Sequence, residues 1–392
     1  MLIIVLLKGV PARTTQVVEV GGVLNREAMD IVLNPHDAKA VEAADFVKRK
    51  VGGKVVALSM GPEMKLIPIM KPLFDAEVFG VDEECVLSDR KMAGSDTLAT
   101  SYAVSLGIKK VVERHTAAID KLAEAVNKDG YSDTLVSKAS SLYEANLLPN
   151  RVYTWLPSVK GSIIQRFMSG ELSAVEAVAQ LKAVHDSLEK YIVVTGVKTT
   201  DGETGSVGPQ VSEGVSELTG KVVPHATYVE DLDVDQMKGT VVAARRLGYL
   251  LQTVEMRLPA LLTVYEAYRP RVVEAAGQPE ARLNNYRGKV FQVMKWTADD
   301  LGADAKRLGF AGSPTIVGPG IDIGKPPVQK TVGKSLVFLQ HVDAFDQDGK
   351  KLGPFDRGDL ATALPPAAAE QLRTEGKVGT FGYQSLLEEL FP

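Results

Sequence analysis

Three polar segments stand where an apolar run gives way to an amphipathic one. The amides at a helix start attract phosphate, glycine lets the backbone approach a ligand closely, and Asp and Thr side chains can bond ribose hydroxyls. Each segment alone is more typical of a turn or a helix cap, but three of them at one sheet edge favour nucleotide binding. The segments are Asn34-Pro35-His36-Asp37, Gly94-Ser95-Asp96-Thr97 and residues 201–208.

The first hundred residues contain the elements that would bring these segments together. The run 2–7 is continuously apolar, which predicts a strand buried on both faces, and 55–59 predicts another. Asn34 suits the N-cap of a following helix and Pro35 its first position. This alternation predicts a wound, mostly parallel α/β sheet, in which the turns that follow the strands meet at the carboxyl edge.

The pattern becomes helical in the middle of the chain. Residues 111–189 predict an insertion in which Ser173 and Glu176 form a capping box ahead of an apolar stripe over 175–188. Strands are predicted again at 191–195 and within 222–265, and 334–392 predicts one short strand and one or two helices. The expected divisions are an α/β core of 1–110 and 190–265, a helical insertion of 111–189, a segment of 266–330 and a C-terminal extension of 331–392.

Composition narrows the class of protein. Of 392 residues 45% are hydrophobic and 24% charged, and the net charge of −4 gives no overall attraction to nucleic acid or to an anionic membrane. A single cysteine, Cys85, excludes an internal disulfide and a cysteine-built metal site, and it fits a reducing compartment. No apolar run approaches 18 residues. We therefore expect a cytoplasmic protein without a membrane span.

The sequence lacks the standard motifs for dinucleotide and phosphate binding, for metal binding and for catalysis. No Gly-x-Gly-x-x-Gly follows the first strand, and in 318–325 Pro319 stands where a phosphate-binding loop needs its first glycine, while Pro326 replaces its Ser or Thr. The five histidines lack metal-ligand spacing, and neither a nucleophile elbow nor a catalytic triad is present. We therefore expect no catalytic residue and no metal site, and leave open whether the chain is part of an enzyme.

An ordered series of short stretches resembles the beta subunit of electron-transfer flavoproteins. Order and spacing hold over about 1–108 and 190–317, and the series is more specific than any one of its members. The stretches are V-L-L-K-G-V-P at 5–11, Asn34-Pro35 with Ala38 and Ala40, S-M-G-P at 59–62, 87–100, D-G-E-T-G-S-V-G-P at 201–209, Leu258-Pro259-Ala260, Trp296 with 300–302, and A-G-S-P-T at 311–315.

The resemblance implies an adenine-nucleotide-binding α/β fold in a heterodimer. In that family an alpha subunit carries the redox FAD, and the beta subunit holds either AMP or a second FAD, the latter in complexes that bifurcate electrons. Gly202, Thr204, Val207 and Pro209 are similar to the FAD type. The implied function is to pass electrons between a dehydrogenase or NADH and an acceptor. The alternatives are an AMP-holding structural subunit of a simple shuttle, and an adenine-nucleotide sensor without a redox role.

The resemblance also implies which residues hold the nucleotide, while the flavin supplies the chemistry. Backbone at the end of the first strand would frame adenine or ribose, the segment near residue 96 would hold ribose or phosphate, and 201–208 would cradle phosphate. The candidate residues are Lys8, Gly9, Val10, Asn34, Met60, Gly61, Asp96, Thr97, Leu98, Ala99, Thr100, Gly196, Asp201, Gly202, Glu203, Thr204, Gly205, Ser206, Val207 and Gly208.

The expected partners are an alpha subunit and a further redox protein. The segment 265–286 corresponds to a partner-recognition loop whose Tyr and Arg side chains suit an interface. The division 266–330 combines this loop with the family's C-terminal part. The insertion and the extension are either solvent-facing additions or docking surfaces for a dehydrogenase, a ferredoxin-type or a quinone-reducing partner. An exposed apolar stripe on the helix at 173–188 would favour docking.

Overall fold

The structure is a computed structural model that describes residues 1–12, 19–20, 23–24, 30–74, 80–154, 161–271, 293–315, 341–345 and 351–356. The chain forms two units, Met1–Pro319 and Gly320–Pro392. The strands are β1 Leu2–Leu7, β2 Gly9–Pro11, β3 Glu19–Val20, β4 Val23–Leu24, β5 Ile31–Leu33, β6 Lys54–Met60, β7 Glu83–Leu87, β8 Ile192–Gly196, β9 His225–Asp235, β10 Thr240–Leu247, β11 Leu250–Arg257, β12 Ala260–Val264, β13 Val293–Trp296, β14 His341–Phe345 and β15 Lys351–Asp356.

Besides the strands, the described residues form seven α-helices and three short 3-10 turns. The helices are α1 Pro35–Val51, α2 Glu63–Phe74, α3 Thr97–Asp129, α4 Asp133–Glu144, α5 Ile163–Met168, α6 Ala174–Glu189 and α7 Val207–Thr219, and the 3-10 turns are Arg90–Met92, Ala305–Arg307 and Gly309–Gly312.

Nine strands form one sheet in the order β11-β10-β9-β12-β8-β1-β6-β7-β13. The six strands from β12 to β13 run parallel, and β9 is parallel to β12, whereas β10 and β11 extend the sheet antiparallel at one edge. The predicted wound, mostly parallel α/β fold is confirmed.

The central strand β1 is buried on both faces, as its continuous apolar run predicts. Leu2, Ile4 and Leu6 join one hydrophobic cluster with residues of α3, α6 and α7, while Ile3 and Val5 join another with residues of α1 and α2. Because successive side chains of a strand point to opposite faces, a run without alternation is what a sheet covered by helices on both sides requires.

The helical middle of the chain packs on the sheet rather than standing away from it. Helix α3 is 33 residues long and runs without interruption through the expected boundary at residues 110 and 111. Leu181, Val184 and Leu188 of α6 belong to the same core cluster as α3 and are buried. The apolar stripe at 173–188 is therefore largely buried and does not favour docking, although Val175 is 80% exposed.

Two local expectations can be compared with the described residues. Ser173 and Glu176 form the predicted capping box at the start of α6, because each side chain bonds the other's backbone amide. The second unit contains two antiparallel strands, β14 and β15, where one short strand was expected. The helices expected within 334–392, the segment 318–325 and residues 272–286 of the partner-type loop lie outside the described residues.

Candidate functional site

The sheet reverses its winding direction between β1 and β8. From β1 the chain proceeds through β6 to β7 on one side, and from β8 it proceeds towards β12 and β9 on the other. The helices that follow the two strands, α1 and α7, join the hydrophobic clusters on opposite faces of the sheet. In open α/β sheets a ligand binds outside the carboxyl ends of the strands at such a switch point. The first and third predicted segments both lie there.

Asp37 joins the ends of these two strands. Its carboxylate accepts the backbone amide of Lys8 (2.8 Å), just after β1, and that of Gly196 (3.1 Å), the last residue of β8. The side chain is buried, and burial raises the Asp37 pKa to about 7 against the lowering effects of these amides, of Asn34 and of the Lys8 charge. Asp37 was named in a polar segment but was not among the candidate residues.

Asn34 stands at the N-cap position of α1 but does not cap the helix. Its side-chain Nδ2 donates to the carbonyl of Lys198 (3.0 Å), and its Oδ1 accepts the amide of Thr200 (3.4 Å). The predicted capping role is wrong because the loop after β8 brings its own backbone groups to this buried amide. The side chain therefore fixes the loop that leads into 201–208.

Lys8 provides a second connection to the same loop. Its ammonium bonds both carboxylate oxygens of Asp201, each at 2.8 Å. Burial would raise the Asp201 pKa, but the bonds from Lys8 and Thr199 hold it below its ordinary value. Lys8, Asn34, Gly196 and Asp201, four of the candidate residues, are thus brought into one network, hereafter the switch-point network, which also contains Asp37.

The loop 201–208 ends in a closely packed helix start. Glu203 and Gly205 have positive φ, so the chain turns sharply there. Ser206 precedes α7, and its hydroxyl donates to the carbonyl of Thr204 (3.3 Å). A Cβ on Gly208 would lie 2.5 Å from Thr263 Cγ2. Glycine at this position lets the first turn of α7 lie directly against the strand ends.

Asp96 caps α3 as the residue types predict. Its carboxylate accepts the amides of Leu98 (2.9 Å), Ala99 (3.0 Å) and Thr315 (3.1 Å). Burial would raise the Asp96 pKa, but these amides outweigh burial and hold the pKa below its ordinary value. Its own amide donates to Ser313 Oγ (2.8 Å). The carboxylate is thus engaged by three backbone amides.

The starts of α3 and α7 lie side by side. Ser101 of α3 bonds Gln210 Oε1 (3.1 Å) and the carbonyl of Val207 (3.4 Å), and Ser105 bonds the carbonyl of Val211 (3.3 Å). The candidate turns 97–100 and 206–208 are therefore neighbours, although they are far apart in sequence. Two adjacent helix starts attract the same anion, because each presents the positive end of its dipole.

The remaining candidates line the same edge through other contacts. Gly9 and Val10 belong to β2, which pairs with β5, and a Cβ on Gly9 would lie 2.6 Å from Ile31 Cγ2. Met60 ends β6, and the Gly61 amide donates to the carbonyl of Leu87 (3.0 Å). Gly9 and Val10 follow the end of β1, whereas Met60 and Gly61 lie at the end of β6. Their described bonds are to β5 and β7 rather than to the switch-point network.

Sequence reasoning also missed the side chains that hold the site in place. Ser313, in the A-G-S-P-T stretch, bonds the amide of Asp96 and the carbonyl of Gly309 (2.6 Å). Ser101 and Ser105 join α3 to α7. Only the presence of A-G-S-P-T in the resemblance pointed to Ser313, and small polar residues inside a helix gave no signal for the other two.

Two further observations concern metals and membranes. Among the residues that the structure describes, no cluster of three or more His, Cys, Asp or Glu side chains has the arrangement of a metal site. Over the same residues, none of the helices combines the length and apolar character needed to cross a bilayer.

Comparison with known proteins shows which proteins this chain is similar to. The electron transfer flavoprotein domain family matches residues 21–147. The beta subunit of the electron transfer flavoprotein of Clostridium acetobutylicum is 28% identical over 323 residues, which are 80% of this chain and 85% of the relative. The resemblance to electron transfer flavoprotein beta subunits is confirmed. The family match contains Asn34, Met60, Gly61 and the start of α3.

Two further relatives have other names. Protein FixA of Bradyrhizobium diazoefficiens is 27% identical over 319 residues, 80% of each chain. Subunit CarD of the caffeyl-CoA reductase-Etf complex of Acetobacterium woodii is 26% identical over 298 residues, 76% of this chain and 78% of the relative. Proteins with three different names are thus similar to most of this chain.

Proposed function

We propose that this chain is the beta subunit of a heterodimeric electron transfer flavoprotein and holds FAD at the switch point between β1 and β8. The observation that supports this most strongly is the joining of three distant segments there. Lys8 bonds Asp201, and Asn34 bonds the backbone of Lys198 and Thr200 just before it. These bonds lie at the carboxyl edge, where open α/β sheets bind nucleotides.

The residues present suit a dinucleotide. Gly208 lets the first turn of α7 lie against the strand ends, and the adjacent starts of α3 and α7 suit a diphosphate. Lys8 adds a positive charge beside the loop 201–208. A bound FAD supplies the redox chemistry, whereas the chain orients it and provides the surrounding charge. The FAD-type residues Gly202, Thr204, Val207 and Pro209 extend the proposal to electron bifurcation.

The proposed partners are a flavin-carrying alpha subunit and a dehydrogenase, ferredoxin-type or quinone-reducing protein, with the cytoplasm as the proposed compartment. CarD, a similar protein, is named as a subunit of a complex between a reductase and an electron transfer flavoprotein.

In the described part of 265–286, Tyr268 is buried and Arg271 pairs with Asp231 (3.0 Å), whereas Arg269 is exposed. An interface anchor there is therefore Arg269 rather than Tyr268.

The test is to co-purify the chain with its flavin-carrying partner, denature the complex, and quantify the released nucleotides by chromatography. We expect two FAD per heterodimer and no AMP. One FAD with one AMP would instead make the chain a structural subunit of a simple shuttle. No adenine nucleotide beyond the partner's FAD would reject the site assignment itself.

A further inference from the structure

Beyond the last paired residues of β1 and β8, backbone amides of both segments donate to a side chain rather than to backbone carbonyls. The paired register between the strands runs from Ile3 with Ile192 to Val5 with Val194. Beyond it, the amides of Lys8 and Gly196 both donate to the carboxylate of Asp37. Asp37 thus bridges the two strands at the switch point, where their chains leave for different loops.

The fit around this carboxylate is close. A Cβ on Gly196 would lie 2.5 Å from Asp37 Oδ1 and 2.6 Å from the carbonyl carbon of His36, so the first turn of α1 lies directly on the end of β8. Asp37 is 3% exposed. Its position fixes where β1 turns into Gly9 and where β8 turns into the loop that carries Asp201.

We propose that Asp37 is a positioning residue for the adenine nucleotide, which sets the directions of the segments after β1 and β8 without contacting the ligand. This inference rests on the proposed function. Binding would depend on Asp37 because both segments that contact the nucleotide start from the amides that it holds. An ionised carboxylate can accept both amides, whereas the protonated form has lost part of its accepting capacity.

The charged surroundings of Asp37 predict a pH dependence. The Lys8 ammonium acts on it from the end of β1, Asp201 is paired with that ammonium, and His36 is the titratable neighbour on α1. Gly196 contributes its amide from the β8 side. Since the Asp37 pKa is raised to about 7, nucleotide affinity should fall as the pH is lowered through neutrality.

The experiment measures binding of AMP, and separately of FAD, to the nucleotide-free full chain by calorimetry between about pH 6 and pH 8. We expect Asp37→Asn to bind both at least about tenfold more weakly at the upper pH and with little pH dependence. The matched control is Asp45→Asn. Asp45 lies on the same helix and pairs with Arg49 (3.1 Å), so its loss should leave affinity unchanged.

The outcomes separate this inference from the proposed function. A native chain that binds neither nucleotide overturns both. A native chain that binds, together with an Asp37→Asn variant that binds equally well, overturns only the role of Asp37. If that variant does not fold, the native pH profile still decides. Affinity that stays constant across neutrality contradicts the role, and affinity that falls on acidification supports it.

Discussion

The ammonium of Lys8 lies 2.8 Å from each carboxylate oxygen of Asp201, although the two residues are 193 positions apart. Lys8 follows the first strand of the core, whereas Asp201 opens the glycine-bearing loop before α7. The pair therefore joins the part of the sheet that precedes the helical middle of the chain to the part that follows it. Both side chains are also partly exposed.

Replacing Lys8 by Met should lower the affinity for the nucleotide clearly while changing the free energy of unfolding only slightly. The Lys8 side chain is 44% exposed, and a pair in such a position contributes at most about 1 kcal/mol to the free energy of unfolding. Loss of the positive charge and release of the loop 201–208 should weaken AMP or FAD binding about tenfold, as measured by calorimetry. Lys91→Met, which removes an exposed pair with Asp299, should change neither quantity. Equal affinities in both variants would remove Lys8 from the site.

Gly208→Ala should destabilise the chain, because the added methyl group would meet Thr263 Cγ2 at 2.5 Å and Thr195 Cγ2 at 3.3 Å. Overpacking of this kind costs about 1–3 kcal/mol, which urea denaturation of the nucleotide-free chain would measure. Gly202→Ala is the matched comparison in the same loop. Its nearest neighbour would be Thr199 Oγ1 at 3.7 Å, so its unfolding free energy should stay within about 0.5 kcal/mol. A reversed order would show that the start of α7 does not pack as described.

The sequence predicted the sheet and the helix starts because those features depend on local patterns. A continuous apolar run predicts a strand covered on both faces, and Ser173 with Glu176 predicts a helix start within four residues. Asp96 likewise caps the helix that follows it. Each of these predictions relates residues close together in the chain, and the structure confirms each.

The predictions that failed depended on distant partners. Asn34 has the residue type and position of a cap, but its amide bonds Lys198 and Thr200, more than 160 residues away. The stripe of α6 correctly indicates a buried face, yet nothing in its spacing shows that α3 already covers it. Asp37 was missed for the same reason, since its role exists only once β1 and β8 are adjacent.

Glu83→Gln should destabilise the chain at neutral pH. Glu83 is buried at the start of β7, at the opposite edge from the candidate site, and Lys54 (3.2 Å), His115 (3.1 Å) and Arg114 (3.5 Å) face it. Burial would raise its pKa, but the facing groups lower it to about 2. His115 lowers the Glu83 pKa most, followed by Lys54 and then Arg114, although burial keeps the His115 pKa itself below its ordinary value. Removing one member of a buried ion cluster costs about 3 kcal/mol.

The pH dependence of this stabilisation has a defined sign. The pKa of Glu83 is lower in the folded chain than its ordinary value of 4.5, so its contribution is complete above about pH 4.5 and is lost as the pH falls towards 2. Denaturant titrations of the native chain and of Glu83→Gln should therefore converge in acid. Glu189→Gln, which removes an exposed pair with Lys221, should follow the native curve. A constant difference between the native chain and Glu83→Gln at all pH values would contradict the ionised state of Glu83.

Leu181→Ala and Val175→Ala test whether α6 is part of the core or a free docking surface. Leu181 is fully buried in the cluster that includes α3, so its truncation should lower the free energy of unfolding by about 2–4 kcal/mol. Val175 lies on the same helix but is 80% exposed, and its truncation should change that free energy by less than about 0.5 kcal/mol. Urea denaturation checks both. If Leu181→Ala were as stable as Val175→Ala, α6 would not pack on α3, and its apolar stripe would again be available to a partner.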